Sequence, residues 1–349
     1  MTVYARKCVS ETEGYVPGEQ PAADRYIKLN TNENPYPPSP RVLDALQAAV
    51  TPAIRLYPQP TADRLREKIA EVYRCALDQV VVTNGMDELL NLVIRAFVDM
   101  DDTVVLTYPT YVLYETLVRL HGAGAVSIEL EPDFSLPQGI VDTKGKLLLL
   151  SRPNSPAGTV FEKARVAELA AGFAGLVALD EAYVDFADDD CLEFAGQFEN
   201  VLVMRTFSKS FSLAGLRVGF GVAGRDIITE LMKVKDSYNV NALSQAAALA
   251  ALDDYKHMRK NVKKIRRTRQ RLTAELESLG FDVPPSQANF VLASPDGYPL
   301  GAAEIYARLK ERKILVRYLN MRRLDDAIRI TVGTDEEVDS LLDALRDMS

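Results

Sequence analysis

Short apolar segments alternate with amphipathic helical segments between residues 80 and 205, and this alternation constrains the fold more than any other feature of the chain. The apolar segments are hydrophobic along their whole length, as expected of strands that are buried on both faces of a sheet. Helical segments separate most of them, so neighbouring strands are expected to run in the same direction. The sequence therefore predicts an α/β protein with a parallel sheet covered by helices. The predicted strands of this region are residues 80–83, 103–107, 125–130, 146–150, 176–179 and 201–205.

The two ends of the chain differ from this central region. Residues 1–40 are rich in Pro, Asn, Gly and Glu, and the prolines between residues 35 and 40 exclude a helix there. Residues 242–278 form a nearly unbroken helical pattern, followed by predicted strands at 289–293, 314–318 and 327–332. We therefore predict an irregular arm at residues 1–40, a large domain at 41–245 and a smaller α+β domain at 246–349.

Composition and charge argue against several classes of function. The 349-residue chain carries a net charge of −8, which disfavours nucleic acid as the main partner. The basic run at residues 259–271 is predicted to be the solvated face of a long helix. The three cysteines and two histidines are widely spaced and form no metal-binding or disulfide pattern. No apolar stretch has the length of a signal peptide or a membrane span, so we expect a cytoplasmic protein that acts on small molecules.

The segment TFSKSFSLAGLRVGF, residues 206–220, is the strongest chemical signal in the sequence. It follows a predicted apolar strand and places Lys209 between two serines, where a lysine is not a typical core residue. A lysine buried beside an apolar wall has a lowered pKa and is able to form an imine with an aldehyde. Arg217 suits a phosphate, because a guanidinium offers two parallel hydrogen bonds. A lone lysine in a serine-rich loop is more often a surface residue, so the prediction depends on the whole segment.

Two strand ends provide further candidate ligand contacts. In LVALDEAYVDF, residues 176–186, a buried strand ends in Asp180, and ligands of parallel α/β sheets bind at such carboxyl ends. The alternative is an aspartate that caps the following helix. In VVVTNGMDELLNLVIRAF, residues 80–97, a strand, a glycine turn and a helix N-terminus together form a phosphate site of backbone N–H groups.

Two more segments lie between these in the chain. TYPTYVLY, residues 107–114, places Tyr111 after a proline turn, where a rigid ring is able to stack on a flat ligand. An ordinary core tyrosine has the same pattern. LSRPNSPAGTVF, residues 150–161, is a proline-rich loop that contains Asn154 and Ser155 after a predicted strand.

Taken in chain order, the five segments resemble the signature segments of fold type I aminotransferases that depend on pyridoxal 5′-phosphate (PLP). The most specific pattern is S-K-x-x-x-x-x-G-x-R-x-G, which residues 208–219 match. The resemblance implies an α/β protein of the PLP-transferase type I fold, with a mostly parallel seven-stranded sheet in the large domain and a smaller α+β domain. It also implies PLP as the cofactor.

The resemblance assigns roles to the residues of these segments. Lys209 is the catalytic lysine that forms the Schiff base, and Asp180 pairs with the ring nitrogen, because a protonated ring is the better electron sink. Tyr183 hydrogen-bonds the ring oxygen, and Tyr111 stacks on the ring. The implied cofactor contacts are Tyr57, Gly85, Met86, Asp87, Tyr111, Asn154, Ser155, Asp180, Tyr183, Thr206, Ser208, Lys209 and Arg217.

The segment at residues 150–161 departs from the N-P-N-N-P-T-G pattern of these enzymes. Arg152 replaces the first asparagine, Ala157 replaces the threonine, and Ser155 replaces the asparagine that contacts the ring oxygen. Ser155 would donate a shorter hydrogen bond from a different height. Asn154 is the other candidate for this contact.

Four segments nearer the ends of the chain resemble the histidinol-phosphate aminotransferases within this family. They are LNTNENPYPPSP at 29–40, RLYPQP at 55–60, KILVRYL at 313–319 and AIRITVG at 327–333. The resemblance implies a homodimer with shared active sites, in which the arm at residues 1–40 packs with the small domain and the dimer partner, and Tyr57 reaches the cofactor phosphate of the neighbouring subunit. It also implies that Arg317 and Arg329 bind the substrate, since an arginine fork fits both phosphate and carboxylate. Tyr15 is a further candidate for the substrate phosphate.

The activity implied by this resemblance is amino transfer between L-histidinol phosphate and 2-oxoglutarate, which gives imidazole-acetol phosphate and glutamate with ping-pong kinetics. Two other activities fit the same segments: an aromatic amino-acid aminotransferase and a threonine-phosphate decarboxylase. A PLP-type scaffold that serves only as a binding module is a third alternative. The complete set of Lys209, Asp180 and Arg217 argues against that alternative.

Overall fold

The computed structural model describes residues 4–20 and 26–349, and its largest element is a seven-stranded sheet. The described helices are α1 (Lys7–Ser10), α2 (Pro40–Ala49), α3 (Asp63–Tyr73), α4 (Met86–Phe97), α5 (Leu113–His121), α6 (Lys163–Gly172), α7 (Phe194–Gln197), α8 (Arg225–Val234), α9 (Ala242–Asp253), α10 (Tyr255–Ser278), α11 (Ala302–Glu311) and α12 (Asp335–Arg346). The described strands are β1 (Ile27–Lys28), β2 (Val80–Thr83), β3 (Thr103–Tyr108), β4 (Gly124–Glu129), β5 (Leu147–Ser151), β6 (Leu176–Asp180), β7 (Val201–Thr206), β8 (Gly219–Ala223), β9 (Phe290–Ala293), β10 (Ile314–Leu315), β11 (Arg317–Tyr318) and β12 (Ile328–Thr331).

The large sheet has the strand order β2-β8-β7-β6-β5-β3-β4. Its central pairings are parallel, and β8 alone runs antiparallel to its two neighbours, β2 and β7. The six strands predicted between residues 80 and 205 are confirmed. Strand β8 was not predicted as a strand, because its sequence GFGVA contains two glycines, which are depleted in strands.

The large sheet is buried on both faces because successive residues of a strand point to opposite sides. In β5, Leu148 and Leu150 belong to one apolar cluster, which includes residues of α3, α6 and α9. Leu147 and Leu149 belong to a second cluster, which includes residues of α4, α5 and α8. The predicted covering of the sheet by helices on both faces is therefore confirmed.

The region after residue 280 forms a smaller three-stranded antiparallel sheet of order β11-β12-β9. The predicted strand at 314–318 is divided in two: β10 pairs with β1 of the N-terminal arm, and β11 pairs with β12. The arm, predicted to be irregular, thus contributes a strand and also the short helix α1. The sequence does not reveal this pairing because β1 is only two residues long.

The predicted helical stretch at 242–278 consists of two helices that meet at Asp254, whose φ of −119° and ψ of 46° break the helical conformation. In α10, Val262, Ile265 and Leu272 are buried and several of the basic residues are exposed, as predicted for a solvated basic face. The predicted domain boundary after residue 245 falls inside α9, and the division into arm, large domain and small domain stays a prediction. None of the helices in the described residues is both long and apolar enough to span a membrane.

Candidate active site

A cavity of about 520 Å³ lies at the carboxyl ends of the central strands, between the large sheet, the N-terminal arm and the smaller sheet. Ser151, Asp180 and Thr206 reach it from the ends of β5, β6 and β7. The position follows from the parallel sheet, since the carboxyl ends of its strands meet at one edge. The predicted site residues that line the cavity are Tyr15, Met86, Asp87, Tyr111, Ser155, Asp180, Tyr183, Thr206, Ser208, Lys209, Arg217, Arg317 and Arg329.

One end of the cavity has the features of an anion site. Helix α4 begins there at Met86, so backbone N–H groups of its first turn and the positive end of its dipole face an incoming anion. Nη2 of Arg217 lies 3.0 Å from Oδ2 of Asp87, and its Nη1 donates to the Ser208 hydroxyl at 3.3 Å. The Ser208 hydroxyl in turn accepts a hydrogen bond from Thr206 at 3.0 Å. A guanidinium, two hydroxyls and a helix N-terminus therefore converge on one point.

Two glycines make this convergence possible. Gly85 has a φ of +81°, and a Cβ at this residue would lie 2.7 Å from Nη2 of Arg217. A Cβ at Gly219 would lie 2.7 Å from the backbone nitrogen of Met86. Side chains at these two positions would push the arginine and the loop away from the helix, so the anion site requires glycine at both.

Lys209 is held by its backbone while its ammonium group reaches into the cavity. Asn34 of the arm donates hydrogen bonds to the carbonyl oxygens of Lys209 at 3.1 Å and Ser210 at 3.0 Å. The Nζ atom of Lys209 lies 3.3 Å from the carbonyl oxygen of Thr31 and 5.5 Å from the ring centre of Tyr183. Among the described residues, no carboxylate forms an ion pair with this amine, whose nearest polar contact is the Thr31 carbonyl oxygen.

Asp180 is a buried carboxylate at the end of β6, with 4% of its surface exposed. Its Oδ1 accepts a hydrogen bond from the backbone N–H of Ala182 at 2.9 Å, and its Oδ2 accepts one from the Tyr114 hydroxyl at 2.5 Å. Burial raises the pKa of Asp180 to about 6, although both hydrogen bonds and the charge of Lys209 act in the opposite direction. The site therefore holds a negative charge at neutral pH at a cost in free energy.

We predict that this cost is measurable as a pH dependence of stability. Because the pKa of Asp180 rises from 3.8 to about 6 on folding, its favourable contribution is present at acid pH and is lost as the pH rises through about 6. Asp180→Asn should therefore raise the free energy of unfolding of the cofactor-free protein at pH 7.5 by about 2 to 3 kcal/mol. The gain should shrink as the pH is lowered toward 5.

Urea unfolding of both proteins at several pH values measures this difference. Asp101→Asn, at an exposed aspartate, is the matched control and should change the free energy of unfolding by less than about 0.5 kcal/mol. A loss of stability in Asp180→Asn at pH 7.5 would contradict the prediction.

Aromatic rings form one wall of the cavity. Tyr111 contacts Tyr15 and Tyr114 edge to face, with ring centres 5.8 and 5.6 Å apart. The Tyr183 hydroxyl accepts a hydrogen bond from the Asn32 side chain at 3.0 Å. This contact links the arm to the edge of the large sheet, so the wall is completed by residues far apart in sequence.

Two arginines of the smaller sheet also line the cavity. Arg317 and Arg329 are directly paired across β11 and β12, so their side chains leave the same face of the smaller sheet. Arg329 donates to the carbonyl oxygen of Asn30 at 3.0 Å, but its Nε has no hydrogen-bond partner in the described part of the chain. Loss of solvent contact lowers the pKa of Arg329, and the nearby charge of Arg317 lowers it further. An anion bound here would relieve both effects.

The loop after β5 contains Arg152, Asn154 and Ser155, whose side chains make different contacts. Asn154 donates to the carbonyl oxygen of Pro109 at 3.2 Å and accepts from the backbone N–H of Ala157 at 3.2 Å, so its side chain holds the loop and does not line the cavity. Ser155 does line the cavity. Arg152 is buried and bonds the carbonyl oxygen of Phe161, away from the cavity.

Two other predicted cofactor contacts also lie outside the cavity wall. Gly85 is behind the Arg217 guanidinium, as described above. Tyr57 is 80% exposed and stacks on Tyr238 with ring centres 4.5 Å apart. Tyr57 therefore does not contact the cavity of its own chain.

The structure also brings in residues that the sequence analysis did not select. Thr31 and Asn32 of the arm contact Lys209 and Tyr183, and Tyr114 contacts Asp180. The arm lies within a segment that resembles the family, but nothing in its sequence shows which strands it meets. Tyr114 lies one helical turn from Tyr111 and has the ordinary pattern of a core tyrosine.

Comparison with known proteins agrees with this geometry. The sequence profile described as aminotransferase class I and II matches residues 24–345. The chain belongs to this family. Curated histidinol-phosphate aminotransferases from Microcystis aeruginosa and Synechocystis sp. are 45% and 46% identical to this aminotransferase over 98% of its length, and the matches cover 98% and 97% of their own chains.

Solved structures show the same fold as this aminotransferase. The histidinol-phosphate aminotransferase of Sinorhizobium meliloti, determined in complex with pyridoxal 5′-phosphate, has a TM-score of 0.88 at 25% identity over 100% of this chain and 99% of that chain. N-succinyldiaminopimelate aminotransferase of Mycobacterium tuberculosis has a TM-score of 0.83 at 25% identity, over 93% and 94% of the two chains. The predicted PLP-transferase type I fold is therefore confirmed.

PLP is the cofactor of this aminotransferase, and the residues of the cavity fit it. The anion site formed by the start of α4, Ser208 and Arg217 has the donors that a phosphate ester needs. Lys209 offers an amine for the aldehyde, and Asp180 offers a buried negative charge for a protonated ring nitrogen. The individual contacts of these residues with PLP stay predictions.

Proposed function

We propose that this aminotransferase transfers the amino group between L-histidinol phosphate and 2-oxoglutarate in histidine biosynthesis. The observation that carries the substrate assignment is the pair of arginines across β11 and β12. The Nε of Arg329 has no hydrogen-bond partner among the described residues, and Arg317 lies beside Arg329 in the same cavity. A guanidinium pair of this kind accepts the phosphate of one substrate and the carboxylate of the other in alternate half-reactions. The close relatives with this activity support the same assignment.

When bound, PLP supplies an electrophilic carbon for the amino group and a conjugated ring that withdraws electrons from the substrate Cα. We propose that the Nζ atom of Lys209 removes the proton from that Cα and later returns one, acting as base and then as acid. Asp180 would hold a proton at the ring nitrogen of bound PLP, and Tyr183 would orient the ring through a hydrogen bond to its hydroxyl oxygen. Arg217 and the start of α4 hold the phosphate, so the reacting carbon stays next to the lysine.

The same residues serve both halves of the reaction. Glutamate would give its amino group to the PLP-loaded enzyme and leave as 2-oxoglutarate before imidazole-acetol phosphate enters, takes up that group and leaves as histidinol phosphate, so initial-rate kinetics should be ping-pong. The polar groups near the arginines, including Tyr15, would complete the site for the substrate phosphate. Tyr111 and Ser155 lie near the proposed position of the cofactor ring, where they would contact its face and edge.

We further propose that the protein is a homodimer with shared active sites. Between residues 50 and 57, the side chains of Val50, Ile54, Leu56 and Tyr57 are 62%, 60%, 56% and 80% exposed. A run of exposed apolar side chains is typical of an interaction surface. This apolar surface leads directly to Tyr57, the predicted contact with the cofactor phosphate. A dimer formed through the surface would bring Tyr57 of each subunit to the cofactor of the other subunit.

We predict that Ile54→Glu weakens this dimer, because it would place a carboxylate in a desolvated apolar contact. The dimer dissociation constant should rise by at least about tenfold, and the affinity for PLP should fall because Tyr57 is withdrawn. Sedimentation velocity over a range of protein concentrations measures the first effect, and equilibrium dialysis measures the second. Met100→Glu, at another exposed apolar side chain, is the matched control. A dimer that is unaffected by Ile54→Glu would exclude this surface.

We also propose a cytoplasmic location, since Cys8, Cys75 and Cys191 are free thiols, as expected in a reducing compartment.

The experiment that tests the function is a substrate panel with 2-oxoglutarate and the purified, PLP-loaded protein. Histidinol phosphate should give glutamate, and histidinol without its phosphate should give a kcat/KM lower by about 10²- to 10³-fold, since the arginines would be left unpaired. A preference for phenylalanine over histidinol phosphate would favour an aromatic aminotransferase instead. Release of carbon dioxide from threonine phosphate would favour a decarboxylase.

A further inference from the structure

Tyr114 is a buried tyrosine that the reaction described above does not use. Its side chain extends from α5, has no exposed surface, and donates a hydrogen bond to Oδ2 of Asp180 at 2.5 Å. Burial, together with the charge of Asp180, raises the pKa of Tyr114 well above its usual range. The phenol therefore stays protonated and remains a hydrogen-bond donor at every pH at which the protein is folded.

The groups around Asp180 explain why this donor matters. The carboxylate is buried, and the negative charge of Asp87 also disfavours its ionised form. The groups that favour ionisation are the Tyr114 hydroxyl, the backbone N–H of Ala182 and the charge of Lys209. A hydrogen bond to the charged form of a carboxyl lowers its pKa, and the short bond from Tyr114 is the largest of these favourable contributions.

The bond from Tyr114 also restricts the orientation of the carboxylate. Oδ1 is held by Ala182 and Oδ2 by Tyr114, so rotation of the carboxylate would break a hydrogen bond on one side. The phenol ring is held in turn by its edge-to-face contact with the Tyr111 ring. The nearby Ser151 hydroxyl lowers the pKa of Tyr114 and so strengthens it as a donor.

We infer that Tyr114 is a positioning residue that keeps Asp180 ionised and aligned at neutral pH, so that a fixed negative charge is available to the ring nitrogen of the cofactor. The role of Asp180 at the ring nitrogen is part of the proposed function. The hydrogen bond between Tyr114 and Asp180 exists in the cofactor-free protein and can be tested there separately.

The first experiment titrates Asp180 by NMR in cofactor-free protein that carries ¹³C-labelled aspartate side chains, with Asp180→Asn used to assign the signal. In the wild type the midpoint is expected near pH 6. In Tyr114→Phe, which removes only the hydroxyl, it should move upward by about one pH unit. The acid limb of the kcat/KM profile should move in the same direction, with little change in the KM for substrate.

Two further variants separate this role from a structural one. Tyr298→Phe removes the hydroxyl of another buried tyrosine, which donates to the carbonyl oxygen of Leu345, and should leave the titration of Asp180 unchanged. Ser151→Ala keeps the phenol but weakens it as a donor, so it should raise the midpoint by a smaller amount. Ser151→Ala also provides the test if Tyr114→Phe does not fold.

A double-mutant cycle measures whether Tyr114 acts through Asp180. In the wild-type background, Tyr114→Phe should weaken PLP binding about eightfold at pH 5.5 and less than twofold at pH 7.5, because a shift of the midpoint from about 6 to about 7 changes the ionised fraction of Asp180 most at acid pH. In the Asp180→Asn background, it should have no further effect. An unchanged midpoint in both Tyr114→Phe and Ser151→Ala, or an equal loss of PLP affinity in the two backgrounds, would overturn the inference. A shifted midpoint in a protein that ignores histidinol phosphate would support the inference and reject the substrate assignment.

Discussion

Lys209→Ala should lower transamination by at least about 10⁴-fold, since one side chain supplies both the amine that binds the cofactor and the proton transfers at the substrate. No other amine is positioned to replace it among the cavity residues in the described part of the chain: the other cations lining the cavity are the guanidinium groups of Arg217, Arg317 and Arg329. Guanidinium groups stay protonated and do not act as the nucleophile.

Stopped-flow and steady-state assays of glutamate formation measure this loss, and the absorbance spectrum reports whether the covalent link to PLP has disappeared. Lys233→Ala is the matched control, because Lys233 is exposed and paired only with Glu230 on α8. A Lys209→Ala enzyme that keeps more than about one hundredth of wild-type turnover would contradict the assignment of the catalytic base.

Asp180→Asn should lower kcat by about 10² to 10³-fold while the protein stays folded. The amide keeps the shape of the carboxylate but cannot hold a proton at the ring nitrogen, so the ring loses much of its power to stabilise negative charge at the substrate Cα. Substrate binding should change little, because Arg317 and Arg329 belong to the smaller sheet and Asp180 belongs to the large sheet.

Single-turnover measurements of each half-reaction distinguish this effect from slower product release. Both half-reactions should be slowed, since both pass through the same loss of a proton from carbon. Asp101→Asn again serves as the control at an exposed site. Full activity in Asp180→Asn would show that the ring nitrogen is not paired with this carboxylate. If Asp180→Asn instead loses activity and gains free energy of unfolding, as expected, Asp180 serves the reaction and not the stability of the fold.

The large sheet was predictable because the pattern that specifies each strand or helix lies within a short segment of the sequence. Each central strand is a short apolar run such as LLLLS in β5, and the helices between them have their own period, so type and order can be read from the chain. Two features, β8 and the break at Asp254, were not predicted. Strand β8 contains two glycines and gains its strand conformation from pairing with β2 and β7. The break at Asp254 falls in a helical sequence that contains no proline or glycine between residues 242 and 278.

The candidate site was predictable where one short segment carries several functional residues. The segment at residues 206–220 contains Thr206, Ser208, Lys209 and Arg217, and all four line the cavity. Contacts between distant segments were not predictable. Asn32 meets Tyr183 across 151 residues, and Tyr114 meets Asp180 across 66. Asn154 lies in a family-like segment, and this position suggested a cofactor contact. In the structure its side chain forms hydrogen bonds with Pro109 and Ala157.

The pairing of the N-terminal arm with the smaller sheet has a consequence for the order in which the molecule is built. Strand β1 pairs with β10, and the backbone N–H of Asn32 bonds the Thr331 hydroxyl at 2.9 Å, 299 residues further along the chain. At a synthesis rate of about 5 to 20 residues per second, the arm leaves the ribosome roughly 15 to 60 seconds before its partner strands exist. Thr31 and Asn32 therefore reach Lys209 and Tyr183 only after translation is nearly complete, and a nascent chain carries an open, incomplete cavity until then.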